Sequence, residues 1–192
     1  MILFVTFVIL FLILVNAFYV AAEFAAVSVR RNMIREMAEN GSRVAVHLLK
    51  ILENTKELDR YIAACQFGIT ISSLVLGAYG QVELAAYLFP LFERFGGMDS
   101  VMANSAAALV VLMGLTVFQV ILGELMPKSL ALQFPKQAAL YTYYPMRWTL
   151  AFFAWFIDFL NGSGLLLLKL FRLPPGGHQH IHSQQEDRKS VV

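Results

Sequence analysis

The residues best suited to chemistry lie where apolar sequence runs into charge, over Leu115 to Lys128, LTVFQVILGELMPK. Glu124 stands inside hydrophobic sequence, with no Lys or Arg between Arg94 and itself. An ionised carboxylate at bilayer depth costs about 2.5–3.5 kcal/mol on insertion scales, so it faces a partner, a cavity or an ion. Lys128, one turn on, is one candidate partner, and a cation is the other. A cation needs further oxygen atoms, and Pro127 offers a route to one. Proline has no N–H and its ring clashes with the preceding turn, so the Gly123 carbonyl loses its helical donor. Gly123 has no side chain to block access. A free carbonyl beside a carboxylate, inside a membrane, is the kind of oxygen cluster a hard cation requires.

Other polar residues could converge on the same place. Asn16 and Glu23 are seven residues apart and share one helical face. Gln66, Thr70 and Ser73 follow the i, i+4, i+7 pattern of a single face, with Ser72 beside it. The competing reading is helix packing, with Asn16 bonded across to a neighbour and the hydroxyls bonded back to their i−4 carbonyls. Asn16, Thr70, Ser73 and Glu124 nevertheless lie on three separate apolar segments. All are oxygen donors, none thiolate or imidazole, which favours a hard cation without separating magnesium from sodium or calcium.

The elements that must position them are membrane helices. The chain has 192 residues, 58% hydrophobic and 15% charged, with a net charge of +2. Its apolar runs are longer than a soluble core needs, and its basic residues cluster beside them rather than along a polar face. That distribution reports orientation and gives no case for a nucleic acid partner. Three spans are expected, at about 2–22, 61–79 and 101–126. Residues 2–22 resemble a secretory leader, but no basic region precedes them and the run is long, so a retained span is read. The basic stretch 29–60 predicts a helical hairpin against the cytoplasmic surface, punctuated at Asn40-Gly41-Ser42. The amino terminus is then outside and the carboxyl terminus inside. Residues 81–100 read as an external connection turning at Gly96-Gly97.

Residues 145–173 are hydrophobic enough to suggest a fourth span. Asn161-Gly162-Ser163-Gly164 divides them into pieces too short to cross, and a crossing would put Arg172, Arg188 and Lys189 outside. A broken helix pair at the inner surface is expected instead. Residues 174–192 read as a polar linker or tail, and His178, His180 and His182 within it as solvated. Cys65 reads as a packing residue. No phosphate-cradling loop, His-Glu-x-x-His or nucleophile elbow occurs, so an enzyme is not expected.

Three stretches together carry a family resemblance. They are Val15-Asn16-Ala17-Phe18-Tyr19-Val20-Ala21-Ala22-Glu23-Phe24-Ala25, then Gln66-Phe67-Gly68-Ile69-Thr70 running to Leu76-Gly77, and Gly123-Glu124-Leu125-Met126-Pro127-Lys128. Over residues 1–173 the chain resembles the transmembrane domain of the CorC and cyclin-M (CNNM) magnesium transporters. The resemblance implies an all-α membrane protein with three transmembrane helices and cytoplasmic juxtamembrane helical hairpins. It implies a homodimer in the cell inner (plasma) membrane that exports Mg2+, with Na+ as the coupling ion. Glu124 matches the family's acidic position before proline, and Gly123 the preceding glycine. Asn16 falls in the first-helix polar motif. Thr70 or Ser73 stands where relatives carry Asn or Thr, and Glu23 is typical of bacterial members, at the ion or at a helix terminus. Family members usually continue into nucleotide-binding CBS domains; none is read here, so nucleotide regulation is not expected of this chain. A passive divalent-cation channel and a non-transporting membrane scaffold are the alternative readings.

Overall fold

The computed structural model describes residues 1–97 and 99–171, and the polar segment 174–192 with its three histidines lies outside them. Eight α-helices form among the described residues: α1 Ile2–Ser28, α2 Arg31–Glu39, α3 Arg43–Glu53, α4 Thr55–Gly96, α5 Ser100–Phe118, α6 Met126–Gln133, α7 Pro135–Phe152 and α8 Ala154–Leu170. A π-helical segment, Gln119–Leu125, joins α5 to α6 without a break. Among the described residues, three stretches are long and apolar enough to cross a membrane: α1, α4 as far as Arg94, and the continuous run Ser100–Gln133. The chain is an all-α membrane protein.

The local chemistry explains the boundaries. Gly41 takes φ +89°, a left-handed conformation that costs glycine little, and so turns the chain between α2 and α3. Ser42 then caps α3 by accepting from the Ala45 N–H at 3.4 Å. Asn54 caps α4 through Lys56 and Glu57, and Asp99 caps α5 through Met102. Gly97 closes α4 at φ +57°. Two expectations shift. Residues 81–96 are no loop but the continuation of α4, which runs unbroken for 42 residues. The helix break expected at Asn161–Gly164 falls instead at Phe153, while residues 161–164 stay helical and α7 already begins at Pro135.

Helix α4 is the centre of the bundle, with α1 and α5 packed along it. Helix α1 also packs on the π segment, α6 and α7. From Val5 to Val20 the buried positions of α1 are Val5, Ile9, Ile13, Asn16 and Val20, a stripe at helical spacing, while Leu3, Phe7, Leu10 and Leu14 point outward. Two apolar clusters result. The upper one unites Val5, Ile9 and Ile13 with Leu76 and Ala85 of α4 and Ala107, Val111 and Leu115 of α5. The lower one joins the end of α1 to α2, α3, α6, α7, α8 and the start of α4, around Ile34, Leu48, Leu52, Tyr61 and Met146. Cys65 belongs to it, buried with its Sγ 3.9 Å from Met146 Sδ. Asn16 lies at the level between the two.

Candidate cation site

The site grows from a defect in one helix. Pro127 has no N–H and disfavours a normal turn before it, and the chain responds by widening into the π segment, whose last bond runs from the Met126 N–H back to the Ile121 carbonyl. The Gly123 carbonyl, left without an α-helical donor, is met from the side. Asn16 Nδ2 donates to it at 3.0 Å across 107 residues of sequence. Glycine eases the fit: a Cβ at position 123 would stand 3.0 Å from Asn16 Nδ2, close enough to push that amide, and 3.5 Å from Gln119 Cγ.

The second span completes the layer. Asn16 Oδ1 accepts from Ser72 Oγ at 2.9 Å and from Ser73 Oγ at 3.2 Å, and Gln119 Nε2 donates to Ser73 Oγ. Asn16 is fully buried, and three of its four hydrogen-bonding positions are engaged. A rotated amide would set oxygen against the Gly123 oxygen, so the network fixes its orientation. The Ser72 hydroxyl has one proton but also lies 2.8 Å from the Gly68 carbonyl and 3.0 Å from that of Ile69. It can therefore leave Asn16 without becoming unpaired. Close approach of α1 and α4 depends on Gly68, where a Cβ would fall 2.5 Å from the Tyr19 ring.

The remaining candidates sit differently. Glu124 is half-buried, one residue from the Gly123 carbonyl. The two ion pairs among the described residues are Arg35 with Glu53 and Arg60 with Asp158, so Glu124 is in neither. Lys128 is not its partner: its Nζ lies 4.5 Å from the centre of the Phe24 ring, a cation–π contact. Thr70 is exposed and bonds back to the Gln66 carbonyl at 2.9 Å, so the structure does not bring it to Asn16. Glu23 is half-buried, two turns below Asn16, with the Gln66 amide beside it. Ser72, which the sequence placed only beside the polar face, and Gln119, which it did not single out, complete the layer. The signal for Gln119 was an amide inside an apolar run, one turn before Gly123.

Asn16, Ser73 and Gly123 are thus in one bonded layer, with Glu124 at its edge. No group of three from His, Cys, Asp and Glu comes together among the described residues, so any metal held here would rely on neutral oxygens beside a single carboxylate.

Comparison with known proteins agrees with this architecture. Residues 7–192 match the model of the cyclin M transmembrane N-terminal domain. The chain is 39% identical over 179 residues to UPF0053 protein YhdT of Bacillus subtilis, covering 92% of this chain and 38% of that one. It is 35% identical over 178 residues to YrkA of the same organism, covering 92% and 40%. A more distant relative, 26% identical over 163 residues, is the polyamine export protein of Haemophilus influenzae, with 84% and 36% covered. The chain spans about two-fifths of the length of these curated relatives. A helical membrane domain with a proline-disturbed third span and a match along nearly its whole length belongs to the cyclin M (CNNM) family.

Proposed function

We propose that this domain exports Mg2+ from the cytoplasm, driven by Na+ entry, through the layer formed by Asn16, Ser73, Gly123 and Glu124. The observation that carries this reading is the meeting of Asn16 with the Gly123 carbonyl on the π segment, next to a carboxylate that is in neither ion pair found among the described residues. As it stands the layer is closed, because the Gly123 oxygen is covered by the Asn16 amide. Ion entry requires the amide to rotate. Asn16 Oδ1 then joins the Gly123 oxygen and the Ser73 hydroxyl, while Ser72 falls back on the Gly68 carbonyl. Magnesium gives up water reluctantly and takes octahedral oxygen, so neutral oxygens and one carboxylate leave it partly hydrated and free to depart.

Orientation in the cell inner (plasma) membrane follows from charge. Arg30, Arg31, Arg35, Arg43, Lys50, Lys56 and Arg60 occur where the surface helices join α1 to α4, and Lys136 and Arg147 follow the third span at the same end. Positive residues stay inside, so that end is cytoplasmic and the amino terminus is external. We assign the working form as a homodimer surrounded by lipid.

The test is Mg2+ efflux from proteoliposomes under an imposed Na+ gradient, paired with thermal unfolding against Mg2+ in sodium-free buffer. Wild type transports and is stabilised as RT ln(1 + [L]/Kd). Glu124→Gln is expected to lose export while remaining folded and dimeric, and Glu124→Ala to lose the magnesium-dependent stabilisation. Full transport by Glu124→Gln overturns the assignment. Flux without sodium dependence indicates a channel, and absence of both flux and stabilisation a scaffold. The Haemophilus relative supports a second reading, since a carboxylate beside carbonyl oxygens also suits an alkylammonium. Efflux of spermidine in place of magnesium, lost in the same variant, would favour it.

A further inference from the structure

A second polar cavity lies away from the cation layer, where α3, the start of α4 and α7 meet. It has a volume of about 230 Å³ and is lined by His47, Ile51, Tyr61, Tyr143, Arg147 and Leu150. We propose that it holds the headgroup phosphate of an anionic membrane lipid.

Four observations support this. First, the lining includes a guanidinium and an imidazole and no acid, and Arg147 is in neither ion pair found among the described residues. A planar guanidinium is well matched to phosphate oxygens. Second, Tyr61 is 1% exposed and its hydroxyl has no hydrogen-bond partner among the described residues. The neighbouring Thr142 hydroxyl donates to the Ala138 carbonyl at 2.8 Å and is not within hydrogen-bonding geometry of the Tyr61 hydroxyl. A buried unpaired hydroxyl costs free energy that a bound acceptor recovers. Third, His47 Nδ1 is bonded to the Arg43 carbonyl at 2.7 Å, which fixes the ring at the cavity wall. Fourth, Arg147 also borders a neighbouring open groove of about 410 Å³ with Trp148, Ala151 and Phe152. One cation therefore stands between a polar pocket and an apolar trough, the layout an amphiphile with a phosphate head and a hydrocarbon chain requires. Tyr141, Tyr144, Trp148 and Phe152 are exposed along one side of α7, an aromatic face suited to the membrane interface.

The experiment is thermal unfolding of the full chain in neutral detergent, titrated with phosphatidylglycerol, phosphatidylcholine or inorganic phosphate. Wild type is expected to show a saturable stabilisation by phosphatidylglycerol alone. In Arg147→Gln the apparent Kd should rise about tenfold, the loss of one charge-assisted contact. His47→Gln and Tyr61→Phe should weaken binding several-fold, and Tyr61→Phe should leave the lipid-free protein no less stable, since it removes an unpaired group. Lys50→Gln, a nearby surface cation outside the cavity, should leave Kd unchanged. Equal stabilisation by both lipids overturns the site, as does equal weakening by Lys50→Gln and Arg147→Gln, which would mean general attraction to charge. Unchanged affinity in Arg147→Gln and His47→Gln also overturns it. Stabilisation by inorganic phosphate that is lost in Arg147→Gln would make the ligand a free anion and overturn the lipid assignment.

Discussion

The two apolar clusters are built on different principles. The upper one, from Val5 to Leu115, is a three-helix seam of aliphatic side chains with lipid outside it, where one apolar surface is exchanged for another and association rests on packing. The lower one draws on seven helices, among them the surface helices α2 and α3, and is tied at its edges by polar contacts. Arg60 reaches Asp158 at 3.0 Å, 98 residues away, and Tyr19 OH lies 3.2 Å from Thr149 Oγ1. The upper half therefore rests on apolar packing alone, while the lower half is also tied by polar side chains. Asn16 sits on the boundary between them.

The strongest way to break this division is Asn16→Leu, which fuses the clusters and leaves the Gly123 carbonyl without its donor. We expect a loss of about 1–3 kcal/mol, from removing the Asn16 bonds in a setting where each averages below 1 kcal/mol. Reversible unfolding in mixed detergent measures it, and a more stable Asn16→Leu protein would mean that the polar layer does not hold the halves together.

A matched glycine pair sharpens the contrast. A Cβ at Gly68 strikes the Tyr19 ring, which is tied to Thr149, whereas one at Gly80 strikes only the flexible end of Leu115. Gly68→Ala should cost about 1–3 kcal/mol as overpacking, and Gly80→Ala less than about 1 kcal/mol, because the leucine can turn aside. Equal costs would show that the two halves are equally rigid.

The smallest effect is expected at the surface. Glu53 accepts from Arg35 at 2.6 Å and holds the Arg35 guanidinium above its already high ordinary range. A raised folded-state value gives stability that is fully present below the unfolded value and lost only above it. Arg35→Gln should therefore cause a slight destabilisation that does not change between neutral and mildly alkaline pH. A clear loss of the effect over that interval, followed by thermal unfolding, would contradict the pairing.

Much of this was legible from residue type alone. Gly41 and Ser42 set the hairpin, the apolar runs set the spans, and Pro127 announced a disturbed helix. The inward faces were harder to read. Leu3, Phe7 and Leu10 face outward and Val5, Ile9 and Ile13 inward, yet both sets are apolar, because lipid does not select for polar surface. Only Asn16 marked the buried side of α1. Thr70 and Ser73 share a face by spacing, but Thr70 is exposed and satisfied by its own helix, while Ser72, just off that face, reaches Asn16. The length of α4 escaped because Gln81, Glu83 and Glu93 look like loop composition, although charged residues are good helix formers once the chain leaves hydrocarbon.

That length has a mechanical consequence. A helix of 42 residues is about 63 Å long at its ideal rise, roughly twice the hydrocarbon thickness, and the proline inside it, Pro90, lies near its far end. With its foot held by Arg60 and its middle carrying Ser72 and Ser73, α4 is a lever. A tilt of about 10° at Thr55 sweeps Gly96 through roughly 11 Å on the opposite side of the membrane. The serines, a little under halfway up, move roughly 4–5 Å, more than the reach of any hydrogen bond they make to Asn16.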